Sequence, residues 1–428
     1  MKKLKAFFNN GFLTIYKANI SFVRESFKSV DSILYFVNLC LLTIFVFFSL
    51  LLGRKPFNYI ANVVAVLLFF STYLLAFIRK RIILNNFTLF WMFFLILSTI
   101  VNIVQKTNVT THLANIVTLL TMYQMVIMSS KREKDFVIRV LYYAFFSLAI
   151  CMCAKYGAEY LHTRDTSIFY DSFFGNIDGV SNYMGFGLVL SLFYLRKGDA
   201  ISPFASLLFM LLIILLERRT AFLLAFIAVL IFLYSLIGKK HPIVLALVAS
   251  ALLLFTLLLL ILIPSLEGIW TRLLNTISGL FGGDTDGSTA ERVNMVIDGL
   301  FYSLIYLFRA VGNGGYVLYS GAFPHDAFGD LGYSYGGIVS LATNFAFIIG
   351  SISLIKHKNY YSNITLSCGL FVIIFLLVNT FLNGRIVCMC VGMIQALSTS
   401  ERANNITFDS QLRFYQLKKV TRYYEIAI

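Results

Sequence analysis

Charged residues make up only 13% of this 428-residue chain, about half the share found in ordinary soluble domains. With 59% hydrophobic residues and a mean hydropathy of +0.82, that scarcity excludes a domain wetted on all sides and points to an integral membrane protein. Alternating segments of about ten residues are absent too, which excludes a transmembrane barrel. A helical bundle is left, because inside lipid the backbone must satisfy its own hydrogen bonds. No disulfide framework is visible: Cys40, Cys151, Cys153, Cys368, Cys388 and Cys390 all lie in apolar runs, where a thiol packs as a small hydrophobe. The two Cys-x-Cys pairs have no histidine nearby, so no metal and no cofactor is expected. Internal repeats of useful strength are missing as well, which weighs against a transporter built from repeats.

The apolar runs are there in number. They fall at 32–53, 58–78, 83–104, 113–129, 136–154, 181–195, 201–216, 220–237, 242–263, 331–355, 362–382 and 384–398, most of them long enough to cross a hydrocarbon core of about 30 Å as helices. The expected fold is all-α, a polytopic bundle of 11–12 transmembrane helices. Residues 1–31 form a basic cytoplasmic arm without the apolar core of a signal peptide. Residues 32–263 carry nine spans, 264–330 form one large outer loop, 331–398 carry the last three spans, and 399–428 form a basic tail.

Positive charge sets the sides. Starting with the N-terminus inside, the clusters Arg79-Lys80-Arg81, Lys131-Arg132-Glu133-Lys134, Arg196-Lys197, Lys239-Lys240 and Lys356-His357-Lys358 all fall on the cytoplasmic face. Topology and anionic headgroups therefore account for the net charge of +15, and no nucleic-acid partner is needed. Two outer segments exceed simple connectors, 155–180 and 264–330. The second holds seven acids, three arginines and no lysine, and a loop of that length in a compact protein is usually functional. Within it an amphipathic helix is expected from Ala290 to about Arg309, lying at the membrane interface.

Four positions at the outer face carry candidate chemistry. Arg218 and Arg219 in LLERRTAFLLAF stand where the positive-inside bias would not put them. They either snorkel to headgroups or form an anion site, since a guanidinium fork matches phosphate oxygens and keeps its charge. Arg292, in STAERVNM, opens the expected loop helix, against the helix dipole. An ion pair with Glu291 is one reading of it and substrate binding the other. His325, in FPHDAFGDLGYSYGG, stands before the span at 331–355, beside Asp326 and close to Asp330. It is either structural or a base for a sugar hydroxyl, oriented by one of the acids. Arg385, in FLNGRIVC, lies at another outer helix end, where snorkelling is the alternative.

Taken together, Arg219-Thr220-Ala221, Arg292, Gly312-Asn313-Gly314, His325, Gly336 eleven residues on, and Arg385 resemble the motifs of the O-antigen polymerase and O-antigen ligase superfamily. Asn176 and Asn182 echo that family's Asn-rich element. The resemblance runs from about residue 175 to 390. Asp326 stands where the family usually has Asn, Ser334 where it often has Glu, and Val339 where it often has Gly.

The resemblance implies a metal-independent membrane glycosyltransferase of the GT-C type in the bacterial inner membrane, with its active site and large loop facing the periplasm. The implied donor is a glycan on undecaprenyl diphosphate, embedded among membrane lipids, and a chain-length regulator protein is an allowed partner. Arg219 and Arg292, joined by Arg218, Arg385, Asp326, Asn176 and Asn182, would bind the substrate and stabilise the leaving diphosphate, and His325 would act on the acceptor hydroxyl. A polymerase of O-antigen or similar repeat units is the first expectation. A ligase onto lipid A core is the alternative with the same chemistry, and a polysaccharide flippase or transporter the alternative from another class.

Overall fold

The computed structural model describes residues 29–48, 57–79, 86–106, 109–163, 177–216, 219–238, 287–312, 327–355, 361–378, 388–389 and 391–397. Every regular element among them is helical: α1 (Val30–Phe48), α2 (Phe57–Ile78), α3 (Asn86–Val104), α4 (Val109–Ile127), α5 (Lys131–Thr163), α6 (Ile177–Arg196), α7 (Ser202–Leu215), α8 (Arg219–Leu233, continued by a π-helical turn over Tyr234–Gly238), α9 (Gly287–Ile305), α10 (Ala327–Tyr335), α11 (Gly337–Ile355) and α12 (Ser362–Val378). Residues 391–397 are helical too. The expected span at 242–263, the N-terminal arm and the basic tail lie outside the described residues.

The exposed faces of α2 and α3 are apolar, and the buried interior adds polar side chains to a largely apolar core. On α2 the exposed side chains are Val63, Leu67, Phe70, Leu74 and Phe77, and on α3 they are Leu89, Phe93, Ile96, Ile100 and Ile103. That alternating four- and three-residue spacing draws one apolar stripe down each helix. The inward faces carry Thr72, Asn102, Asn115, Thr118, Thr121 and Gln124, all buried. Helix α4 is the centre of this half: every residue from Ala114 to Ser129 is buried, with α2 and α3 packed against it. Gly392 lets the last helical segment approach so closely that a Cβ there would overlap the Leu119 carbonyl. Over Glu133–Ala154, α5 is long and apolar enough to cross a membrane, while the other apolar stretches among the described residues are shorter.

Cross-element contacts join helix ends that the charge pattern assigns to one side. Arg79, at the end of α2, pairs with Asp31 of α1 at 3.2 Å and Glu133 of α5 at 2.9 Å, and its guanidinium lies 4.8 Å over the Tyr35 ring. Tyr361 donates to Asp135 Oδ1 at 2.6 Å, and Asn363 to Ser235 Oγ at 3.1 Å. At the opposite end Asn102 of α3 donates to Tyr335 OH at 2.9 Å.

Three expectations change. The segment 155–180 is not all connector, because α5 runs on to Thr163 and α6 starts at Ile177. The loop helix starts at Gly287 and ends at Ile305, earlier at both ends than expected. The run at 331–355 is not one helix: α10 and α11 are separate, with Gly336 between them at φ +89°.

Candidate functional site

The turn after α9, which carries Gly312, and the junction of α10 and α11 meet around the break at Gly336. After α9 the chain turns through Tyr306–Gly312, and that turn is tied to α10 and α11 by backbone bonds. Val311 and Gly312 donate their N–H groups to the Ser334 carbonyl at 3.0 and 2.8 Å. Gly337 donates to Tyr306 O at 3.0 Å and Ile338 to Leu307 O at 3.1 Å, satisfying first-turn donors of α11 that no intrahelical partner could take.

Glycine is required here for two separate reasons. Gly312 and Gly336 have φ of +91° and +89°, the left-handed region that other residues enter only with strain. A Cβ on Gly336 would also lie 2.9 Å from both Leu307 O and Arg309 O, and one on Gly337 would overlap the Ser303 carbonyl. Gly312 and Gly336 are thus the two ends of one backbone clasp.

Helix α10 is held at both ends. At its N-terminus the Phe328 carbonyl accepts from Ser340 Oγ at 2.8 Å and Ser303 Oγ at 3.3 Å, and Ala327 O accepts from Asn344 Nδ2 at 3.4 Å. Ser340 and Asn344 lie one and two turns into α11, so α10 doubles back along the helix that follows it. At its C-terminus Tyr335 is clamped by Asn102 and by the Phe94 ring, at 5.6 Å between centroids. Tyr302 and Tyr333 stack at 4.3 Å across the α9–α10 contact.

Of the sequence candidates, Arg292 lies on α9, but as its sixth residue and not at its opening. Ser288 and Thr289 supply the hydroxyl residues that favour a helix start, which moves Arg292 out of the unfavourable first turn of the dipole. Arg219 is the first residue of α8, and Ala221 of the same motif is buried. Gly336 stands at the junction of two helices and not inside a span. Asn182 of α6 is buried, and its Oδ1 has no hydrogen-bond partner among the described residues. Gly185, one turn further along α6, packs against Leu224 of α8. These two helices run parallel, so Asn182 is level with the first turn of α8 that Arg219 begins.

His325, Asp326, Arg218, Arg385 and Asn176 lie outside the described residues. Among the described residues no group of three or more His, Cys, Asp or Glu side chains could hold a metal ion. The sequence reading passed over Ser303, Ser340 and Asn344. The signal for the last two was present in GGIVSLATNFAF, where Ser340 and Asn344 stand four apart on one face of an otherwise apolar helix.

The opposite end of the bundle is polar for a different reason. Asp199, in the turn between α6 and α7, is fully buried and accepts from Tyr142 OH at 3.4 Å. Burial pushes its carboxyl above the usual value, against the opposing pull of its hydrogen bonds and of Arg139. Lys197 of the same turn lies 4.0 Å over the Phe193 ring. No family of known proteins matches the chain, and no curated protein matches it.

Proposed function

We propose that this chain is a multi-pass membrane glycosyltransferase that polymerises lipid-linked saccharide repeat units. The membrane part of the reading is supported by the apolar stripes on the exposed faces of α2 and α3, which water would oppose and lipid would favour. It is supported as well by the polar contacts that gather alternate helix ends at two opposite levels.

One observation carries the assignment of activity. Gly312 and Gly336, drawn from two separate motifs, share the left-handed backbone and meet through the Ser334 carbonyl. The loop helix bearing Arg292 leads into that clasp from one side, and α10, which follows His325-Asp326 directly in the chain, ends at it from the other.

In the proposed reaction His325 takes the proton of an acceptor sugar hydroxyl. The freed oxygen attacks the anomeric carbon of the donor, a glycosidic C–O bond forms, and the bond to the diphosphate breaks with its electron pair leaving on phosphate oxygen. Arg219 and Arg292 offset the negative charge that accumulates there, the work a metal ion does in other transferases. The donor is a glycan on undecaprenyl diphosphate, and the site faces the periplasm of a bacterial inner membrane.

The test is incubation of the purified protein with lipid-linked repeat units alone. Longer lipid-linked chains are expected. Transfer that occurs only when lipid A core is added makes the protein a ligase, and the absence of both products, with movement of lipid-linked saccharide across vesicles instead, overturns the transferase reading. In the polymerase assay, alanine at Arg219, Arg292 and His325 together abolishes extension while the protein still inserts.

A further inference from the structure

We propose that the second half of α9 and the turn after it are seated in the lipid leaflet as part of the bundle wall, with phospholipid acyl chains packed against them. The proposal rests on the membrane part of the proposed function and not on the transfer chemistry. Leu300, Phe301, Leu304, Ile305 and Phe308 are all exposed, Phe308 at 85%. Steps of four residues, 300 to 304 and 301 to 305, put the helical members on one side, and Phe308 carries the stripe on into the turn. A contiguous exposed apolar surface of this kind marks a membrane or a partner contact.

The other side of the helix is occupied. Gly299, Tyr302 and Ser303 are buried, Tyr302 stacks on Tyr333 of α10, and Ser303 Oγ donates to the Phe328 carbonyl. The amphipathic helix expected from the sequence would turn a polar side to water. From Gly299 to Ile305 there is none: one side packs on α10, and the other is exposed and apolar. No charged residue stands between Asp298 and Arg309. Both of these are exposed, where they can meet headgroups, and an apolar stretch of that length fits an interfacial or re-entrant segment.

Depth and backbone chemistry name lipid as the occupant. Ser303 and Ser340 reach the same Phe328 carbonyl, so α9 packs level with the first turn of α11. Helix α11 has 19 residues and no charge, a length of about 28 Å that matches a hydrocarbon core. Its exposed stripe of Ile338, Phe345 and Ile349 starts where the turn touches it, because Ile338 donates its N–H to Leu307 O at 3.1 Å. The apolar surface of the turn thus adjoins that of α11. Non-helical backbone persists at membrane depth only when the protein itself satisfies its polar groups. Tyr306 N–H is taken by Tyr302 O, Tyr306 O and Leu307 O accept from α11, and Val311 and Gly312 donate to Ser334 O. A turn standing in water would have no need of that closure.

The test places tryptophan on the surface of the full-length protein, reconstituted in phosphatidylcholine nanodiscs with plain or brominated acyl chains. Phe308→Trp probes the turn, Phe345→Trp the exposed stripe of α11, and Asn294→Trp the polar end of α9. All three positions are exposed, and the signal of the unsubstituted protein is subtracted from each. Brominated chains are expected to dim Phe308→Trp and Phe345→Trp about twofold and to leave Asn294→Trp within about a tenth of its plain-lipid value. Where Phe308→Trp does not fold, Leu304→Trp takes its place. Quenching at Phe345→Trp without quenching at Phe308→Trp overturns the seating of α9 and leaves the membrane reading in place. Quenching at neither overturns both. A Phe308→Trp signal shielded from aqueous iodide yet untouched by bromine puts a second copy or another protein segment on the patch, and overturns the proposal as well.

Discussion

Gly312 donates its backbone N–H to the Ser334 carbonyl at 2.8 Å, and Gly336, two residues past that acceptor, shares its left-handed backbone. The clasp makes a sharp forecast about side chains. Gly336→Ala adds the strain of a left-handed residue, about 1–2 kcal/mol, and sets a Cβ 2.9 Å from two carbonyl oxygens that belong to backbone and cannot swing away. The variant is expected to lose at least 2 kcal/mol or so by that sum and to unfold at lower temperature in detergent. Gly157→Ala is the comparison, because nothing lies within 4 Å of a Cβ there and α5 is regular: it is expected to be neutral or to gain about 0.5–1 kcal/mol. Equal melting temperatures for the two variants would show the clasp to be slack.

Asp199 gives a pH forecast. Its carboxyl is raised above the usual 3.8, with burial as the largest cause, so the folded chain takes up this proton more readily than the unfolded one. The charged form therefore costs stability at neutral pH, and the cost fades as pH falls through the raised value. Asp199→Asn keeps an oxygen for Tyr142 and removes the charge. It is expected to stabilise the protein at pH 7, with an advantage that shrinks on acidification and is gone below about pH 4. Unfolding midpoints of both proteins measured from pH 4 to 8 check this, and an advantage that grows in acid contradicts it.

Arg79 closes three helix ends at once. Its side chain is about one-tenth exposed and that of Glu133 little more, so removing the guanidinium strands a mostly buried carboxylate. Arg79→Met is expected to cost about 2–3 kcal/mol, below the range for fully buried pairs because Asp31, its other partner, is 40% exposed and screened by water. Adding Glu133→Gln should recover a large part of the loss. Strictly additive effects in the double-mutant cycle would deny the coupling.

How much of this was legible in the sequence differs from element to element. The Arg79, Glu133 and Lys134 clusters announce which helix ends share a level, because long-range charge placement is written in composition. The end of α5 was not legible from hydropathy. Its tail KYGAEYLHT stops being apolar, yet Ala, Glu, Leu and Lys are good helix formers, so the helix outlasts the apolar run. The break at Gly336 was hidden for the opposite reason. Hydropathy runs on through YSYGGIVSLA, and the left-handed glycine is imposed by the α9 turn packed against it. Among the site candidates Gly312 and Gly336 stood out in the sequence, but the bond that ties Gly312 to the Ser334 carbonyl beside Gly336 did not. The contacts of Ser340 and Asn344 depend on α10 folding back, which no local pattern encodes.

Asn182 separates stability from function most directly. It is 7% exposed, its Oδ1 has no partner among the described residues, and it sits level with the start of α8 where Arg219 stands. An unpaired buried amide oxygen costs about 1–3 kcal/mol, and replacing it with an apolar group of similar size removes that cost. If the amide serves only the fold, Asn182→Leu gains stability and leaves extension of lipid-linked repeats alone. If the amide meets the saccharide, stability rises while extension falls about tenfold, through KM before kcat, as expected for a lost ground-state contact. The second pattern is the expected one. Thermal midpoint and KM measured on the same preparation decide between them, and a variant more stable and fully active would remove Asn182 from the site.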